Sequence, residues 1–473
     1  MFFNDYYEKK EEKTVFKDDR GQEITYGELN SFSTEIGNVL KTRSLAFCLC
    51  ENSVGSAVGY LSFLKNRVVP LLLDHRIDKL LLIHLIEMYG PKWLYYPADM
   101  EDELKRDFPQ FHTCFQRYDY LLACDIDAPT IELNEELALL LTTSGSTGSP
   151  KLVRQSYRNI QSNAEAISQY LELNDSERPI STLPMNYTYG LSVINSHVQV
   201  GATILLTDKT MAMKPFWDFA KKERATSFAG VPFTYELLKK VRFFRMDLPD
   251  LRYMTQAGGK LAPELHREFA QWCIEHDKKF IVMYGQTEAT ARMGFLPAEY
   301  SLKKYGSMGK EIPGGTFLLL DANGDEIQEP EKVGELIYKG DNVTLGYAQC
   351  REDLKKDDEW GGVLFTGDMA KRDADGFYYI VGRKKRFLKI FGNRVNLDEI
   401  DRLVKSRFEN LDCASTGVDD QMKTFITDAK RINEVRQYLS ATTHLSESAF
   451  DVCYLSEIPK NEAGKVLYKE LPE

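Results

Sequence analysis

The chain has 473 residues, with 60 lysines and arginines against 71 aspartates and glutamates, a net charge of −11 and an isoelectric point near 5.4. That balance argues against a general nucleic-acid or membrane-surface binder, while leaving room for a local basic pocket that takes a polyanion. With 43% hydrophobic and 28% charged residues it should fold throughout, and it is too long for one core, so a large multi-lobed domain plus a smaller one is expected.

The first residues, MFFNDYYEKKEEK, lack the apolar core of a signal peptide, and no later run reaches the ~18 apolar residues of a membrane span. No membrane span and a cytoplasmic protein are the expectation. The eight cysteines, Cys48, Cys50, Cys114, Cys124, Cys273, Cys350, Cys413 and Cys453, form no C-x-x-C pair, so neither zinc nor a disulfide framework is indicated.

From Leu45 onward, apolar runs of strand length alternate with amphipathic stretches, the pattern of an α/β protein with layered sheets. Residues 45–50, 68–73, 202–206 and 280–284 are the predicted strands. Between them, an apolar strand at Leu137–Leu141 runs into Thr142-Thr-Ser-Gly-Ser-Thr-Gly-Ser-Pro-Lys151. Glycine frees backbone N–H groups there, the hydroxyls add donors and the lysine adds a cation, which together make a nest for phosphate oxygens. The spacing G-x-x-G-x-x-K is not the G-x-x-x-x-G-K-[ST] of an ordinary P-loop, and a short strand then precedes a helix starting near Tyr157. A flexible Gly/Ser linker has similar composition, but it would not follow five apolar residues and end in Pro-Lys.

Near residue 380 the texture changes. Residues 376–381 read as a strand, 382–386 as a basic turn, and 387–391 as a second short strand. Asn396 followed by Glu399 reads as a helix-capping box, with Ile400, Leu403, Val404 and Phe408 on one helix face. A domain of residues 1–383 and a small α+β domain of residues 384–473 follow from this.

Five further motifs stand in order beyond the loop: Tyr284-Gly-Gln-Thr-Glu288, Gly334-Glu-Leu-Ile-Tyr-Lys-Gly340, Phe365-Thr-Gly-Asp368, Gly382-Arg383 with Lys389-x-x-Gly392, and Pro459-Lys-Asn-Glu-Ala-Gly-Lys465. In sequence and spacing the chain resembles the acyl-adenylate-forming superfamily of acyl-CoA synthetases, luciferases and peptide-synthetase adenylation domains. The resemblance implies a carboxylate-activating ligase with a mobile C-terminal lid. A small-molecule carboxylic acid attacks the α-phosphorus of ATP with loss of pyrophosphate, and a thiol then takes the acyl group as AMP leaves. The thiol would belong to coenzyme A or to the phosphopantetheine of an acyl carrier protein. Neither step needs an enzyme nucleophile, since positioning and cations suffice. No G-x-S-x-G elbow or H-E-x-x-H helix is present to support a hydrolase or a zinc protease.

Carried over residue by residue, the resemblance implies that Thr143, Ser144, Gly145, Ser146, Thr147, Gly148 and Lys151 hold the β- and γ-phosphates. Tyr284, beside Gly285, lies against adenine and Thr287 bonds the α-phosphate. Glu288, with Thr143, holds Mg²⁺. Asp368 accepts from the ribose hydroxyls and Arg383 adds a nucleotide contact. Lys465 neutralises the carboxylate and α-phosphate during adenylation, Lys385 is the hinge, and Lys389 enters the cleft for the thioester step. Taken alone, Glu288, Asp368 and Lys465 would pass for solvated turn residues.

The acid pocket is assigned to Tyr187, Gly190, Ala257, Gly258 and Gly259. Relatives that activate amino acids carry Phe-Asp-x-Ser where this chain has Tyr189-Gly190-Leu191-Ser192. With no aspartate to pair an ammonium, an acyl or aryl acid is expected. Tyr187 stands where many acyl-CoA synthetases place a histidine, either as a hydrogen-bond donor or as core packing. The competing readings are an amino-acid adenylating enzyme and a nucleotide-binding homologue without catalysis.

Overall fold

A computed structural model describes residues 1–2, 10–40, 42–142, 151–390, 393–418, 420–443, 445–460, 464 and 466–472. The chain forms two compact units: residues 1–317 with 338–364, and residues 318–337 with 365–473. The second unit takes in residues 365–383, whose strands pair with each other.

Within the first unit lie two large sheets. Among the described residues one has nine strands, its middle built from Thr14–Asp18, Ile204–Leu206, Pro179–Ile180, Ser227–Gly230, Tyr253–Gln256 and Lys279–Tyr284, each parallel to the next. The other has eight, with Trp93–Pro97, Leu45–Cys50, Val69–Asp74 and Leu137–Thr142 parallel and antiparallel strands at both edges. Such parallel strands are apolar along their whole length because both faces are covered. Leu45–Cys50 is buried at every position, and Val54–Lys65 is a helix buried all round but for its last residue. Its side chains share one core with Phe16 of the nine-stranded sheet and Cys48 of the eight-stranded sheet.

The short strand Leu152–Ser156 leads into the helix Tyr157–Tyr170, as the sequence indicated. The Ser156 side chain accepts from the Asn159 N–H, and the Asn159 side chain accepts from Ser156 N–H, a reciprocal cap.

Most of the four-stranded sheet Thr316–Leu320, Val333–Lys339, Val363–Arg372, Tyr378–Arg383 falls in the second unit. A hairpin, Phe387–Ile390 with Asn393–Asn396, follows. A three-stranded sheet, Cys413–Val418, Gln421–Ile426 and Asp451–Tyr454, then packs with the helices Leu397–Arg407 and Ile432–Thr443 around Ile400, Val404, Phe408 and Leu439. Asn396 caps its helix by accepting from the Asp398 N–H at 3.0 Å and donates its own amide to the Val381 carbonyl at 2.9 Å. The second bond ties Asn396 to the strand Tyr378–Arg383, and among the described residues the cap forms without a reciprocal bond from Glu399. Among the described residues no helix is long and apolar enough to cross a membrane.

Candidate active site

Three neighbouring parallel strands, Ser227–Gly230, Tyr253–Gln256 and Lys279–Tyr284, end on the same edge of the nine-stranded sheet. Their carboxyl ends deliver Val231, then Ala257 to Gly259, then Tyr284 to Glu288 side by side, where open α/β sheets gather ligand groups. Register thus assembles what the sequence lists far apart.

The turn after Tyr284 is tightly folded. A Cβ on Gly285 would stand 1.6 Å from the Ala291 carbonyl oxygen, so only glycine fits. Thr290 and Ala291 both have positive φ, 51° and 92°, a conformation that costs non-glycine residues on the order of 1–3 kcal/mol each. The turn is held from outside. Gln155 donates to the Thr287 carbonyl at 3.4 Å, Asn342 donates to the carbonyls of Ala289 and Arg292 at 2.8 and 3.0 Å, and the Thr344 N–H reaches the Glu288 carbonyl at 3.1 Å. Thr290 Oγ1 in turn donates to the Asn342 carbonyl at 2.8 Å.

These bonds fix the Glu288 side chain beside a residue that motif reading missed. Tyr347 Oη donates to Glu288 Oε1 at 2.8 Å, and the Lys151 ammonium stands 5.2 Å from the Tyr347 ring centroid. The Tyr347 ring also packs edge-on against Trp360. Burial, reinforced by the Glu288 charge, raises the Tyr347 hydroxyl above its ordinary range, so it stays a donor at neutral pH. The two-residue strand Tyr347–Ala348 pairs antiparallel with Val153 and Leu152, which brings Tyr347 next to Lys151. A ladder that short leaves no periodic signal. Arg154, fully buried, pins the same loop by donating to the Leu345 carbonyl and to Glu359 Oε2, both at 2.7 Å.

Lysine, tyrosine and glutamate thus form one polar cluster. Thr143 to Gly148, which the sequence assigns to phosphate binding, lie outside the described residues. Among the described residues no group of three metal-ligating side chains gathers. Tyr284 lies half-buried with its ring centroid 6.2 Å from that of Phe317.

Of the residues that the sequence assigns to an acid pocket, Tyr187 precedes the helix Thr188–Gln199 and is half-buried. Its hydroxyl faces Gly258, where φ is +81° and a Cβ would come within 2.6 Å of the Tyr187 oxygen. That hydroxyl has no hydrogen-bond partner among the described residues, and burial raises its pKa. Gly190 is buried, and a Cβ there would stand 2.3 Å from the Pro184 carbonyl oxygen. The position lacks a side chain because the backbone leaves none room, and an aspartate there would also face carbonyl oxygens. Ala257 is buried, while Gly258 and Gly259 are exposed.

In the second unit, Asp368 and Arg383 face each other across one antiparallel pair and form an ion pair of 2.8 Å, with Asp368 buried and Arg383 half exposed. Thr366 Oγ1 accepts from the Asp368 N–H at 3.1 Å. The backbone of Lys385 lies in the turn Lys384–Arg386 and that of Lys389 in the strand Phe387–Ile390; their side chains, and Lys465 entirely, lie outside the described residues. Lys384 pairs with Glu335 at 2.6 Å. Arg386 bonds Asp398 at 2.7 Å and Asp401 at 2.8 Å, and its guanidinium sits 3.8 Å from the Tyr468 ring centroid.

The model of the AMP-binding enzyme family matches residues 3–348. The 2-succinylbenzoate–CoA ligase of Geobacillus sp. (strain WCH70) is 28% identical over 356 residues, 72% of this chain and 69% of the relative. The oxalate–CoA ligase of Arabidopsis thaliana is 30% identical over 307 residues, 63% of this chain and 58% of that protein. Among solved structures, O-succinylbenzoate coenzyme A synthetase from Bacillus subtilis, in complex with ATP and magnesium ion, shares the fold with a TM-score of 0.79 at 20% identity, covering 99% of this chain and 98% of its own. The chain belongs to the AMP-binding enzyme family, as an acid–thiol ligase of the acyl-CoA synthetase kind.

Proposed function

We propose that this protein condenses an acyl or aryl carboxylic acid with ATP to an acyl adenylate and transfers the acyl group to a thiol, that of coenzyme A before that of a carrier protein. The observation that carries the reading is the Lys151–Tyr347–Glu288 cluster on the turn that follows Tyr284. Tyr347 holds one Glu288 oxygen and leaves the other free. Lys151 brings a cation to the same place, at the end of the hydroxyl-rich loop. A polyphosphate and one hard cation fit that set.

Each residue then has a task that its chemistry allows. Lys151 and the loop Thr143–Gly148 orient the β- and γ-phosphates, Tyr284 packs against adenine and Thr287 donates to the α-phosphate. Glu288 and Thr143 would hold Mg²⁺, which when bound neutralises charge on the phosphates. Tyr187, with its unspent hydroxyl, points the acid carboxylate. Asp368 takes the ribose hydroxyls, with Arg383 beside it. Lys465 meets the charge that develops as the carboxylate attacks, and Lys389 serves the thioester step after rotation about Lys385.

Acceptance of coenzyme A is supported by the relatives, which are named as CoA ligases of 2-succinylbenzoate and oxalate. The lack of room for any side chain at Gly190 speaks against an amino acid, whose ammonium would go unpaired. The test is ATP–pyrophosphate exchange over fatty, aryl, short-chain and amino acids, with wild type beside Lys465→Ala. Exchange driven by a non-amino acid and lost in the variant is the expected result; exchange driven by amino acids alone, or by no acid, would refute the proposal.

A further inference from the structure

Two arginines of the first unit are fully buried, and they are unlike each other. Arg154 meets a carboxylate, Glu359, at 2.7 Å. Arg292, 2% exposed, has no carboxylate among the described residues. Its Nε donates to Ser192 Oγ at 3.1 Å, its Nη1 donates to Tyr170 Oη at 3.1 Å and to Met283 Sδ at 3.2 Å, and its guanidinium lies 5.0 Å from the Tyr189 ring centroid. Nη2 finds no acceptor among the described residues, so both its N–H donors are unspent. Burying a guanidinium among neutral groups, with one arm of its fork unused, is costly unless an anion completes it.

Its surroundings belong to the acid side of the site. Arg292 stands four residues beyond Glu288 on the same turn, and its carbonyl is gripped by Asn163 and Asn342. Tyr189, over which it stacks, is in ring contact with Tyr187. Tyr170, its partner at Nη1, is partly exposed and stacks on Phe295, and these rings with Tyr187 pack, partly buried, against an apolar cluster that includes Val231 and Ala257. The neighbouring His197 adds no charge, since burial and Arg292 push it down to about 3. One fixed positive charge therefore sits a single aromatic ring from Tyr187.

We propose that Arg292 binds a second carboxylate on the substrate, remote from the one that is activated, so that the acid this chain takes is a dicarboxylic acid. The inference rests on the acid-activating reading above. The second carboxylate would accept from Nη2 and displace the weak thioether contact at Nη1, a bidentate pair on a largely buried guanidinium. A substrate with a methyl group there would leave the guanidinium unpaired, which is the strong form of discrimination.

The test uses matched acids that differ only in a terminal carboxylate against a methyl group, in linear and aryl series, scored by pyrophosphate exchange. Wild type should prefer the diacid by about 10–100-fold in kcat/KM, the range of a charge-assisted hydrogen bond. Arg292→Gln should abolish that preference while keeping exchange with the monoacid, and Arg292→Lys should fall between. Equal use of both acids by wild type, or equal loss of both in a folded Arg292→Gln protein, would overturn the inference. Calorimetric binding of the diacid separates the two proposals. Arg292-dependent binding without exchange would sink the ligase reading and keep the carboxylate site, whereas exchange with diacid binding unchanged by Arg292→Gln would do the reverse.

Discussion

Replacing Tyr347 by phenylalanine removes one oxygen and leaves the rest of the cluster in place. The lost bond, 2.8 Å from Oη to Glu288 Oε1, ends on a carboxylate, and such bonds contribute about 1.5–3 kcal/mol. Both side chains are only half-buried, so solvent screening brings the value to the bottom of that range or just under it, about 1–2 kcal/mol, or roughly 5–30-fold in rate or affinity. The ring stays, and with it the contact to Trp360 and the face presented to Lys151, since phenylalanine also attracts a cation. Stability should therefore change little. In pyrophosphate exchange the variant should need more Mg²⁺ and more ATP for half-maximal rate, by about that factor, because Glu288 is no longer held in one rotamer. Tyr347→Ala should lose more, having given up the ring as well. Exchange and Mg²⁺ dependence within twofold of wild type in Tyr347→Phe would refute the idea that this hydroxyl sets Glu288.

Gly285→Ala forces a methyl group to 1.6 Å from the Ala291 oxygen, so the turn must open; exchange should drop by at least ~100-fold while circular dichroism stays near wild type, and an active variant would contradict the geometry. His197 and His266 are held by burial to about 3 and about 4, so each favours the folded state fully above its unfolded pKa near 6.5 and loses that contribution as pH falls below it. Between pH 7 and pH 5 each should lose about 2 kcal/mol, and denaturant unfolding of His197→Gln should show a shallower pH slope than wild type. Lys465→Ala should abolish exchange but retain thioester formation from a supplied acyl adenylate; Lys389→Ala should do the opposite, and equal loss of both half-reactions in either variant would count against the division of labour.

Much of this was legible in the chain because the signals are local. A strand buried on both faces reads as an apolar run, and Leu45–Cys50 appears where the run does. The hydroxyl-rich loop, the glycine before Gln286 and the cap at Asn396 each announce themselves within a few residues. Tyr347 does not, because what matters is its register against Val153, almost two hundred positions earlier. Arg292 is illegible for a related reason: beyond the motif it resembles any surface arginine, and only packing shows that Ser192, Tyr170 and Met283 enclose it.

At Gly190 the fold adds a cause that the sequence does not show. In sequence it reads as a missing counter-charge, but in the fold it is a helix position pressed on the Pro184 carbonyl, where no side chain fits. The charge of the acid side is carried instead by Arg292, with the opposite sign, on the very turn that bears Glu288. That turn accepts two left-handed non-glycine residues, Thr290 and Ala291, between the two charged side chains. Local strain of this kind persists only where surrounding bonds over-determine it, and Gln155, Asn163, Asn342 and Thr344 supply them. The sharp reversal sets the Glu288 side chain beside Tyr347 and the Arg292 side chain among Tyr170, Tyr189 and Ser192. One strained loop thereby fixes the spacing between a group suited to phosphate and metal and a group suited to the far end of an acid.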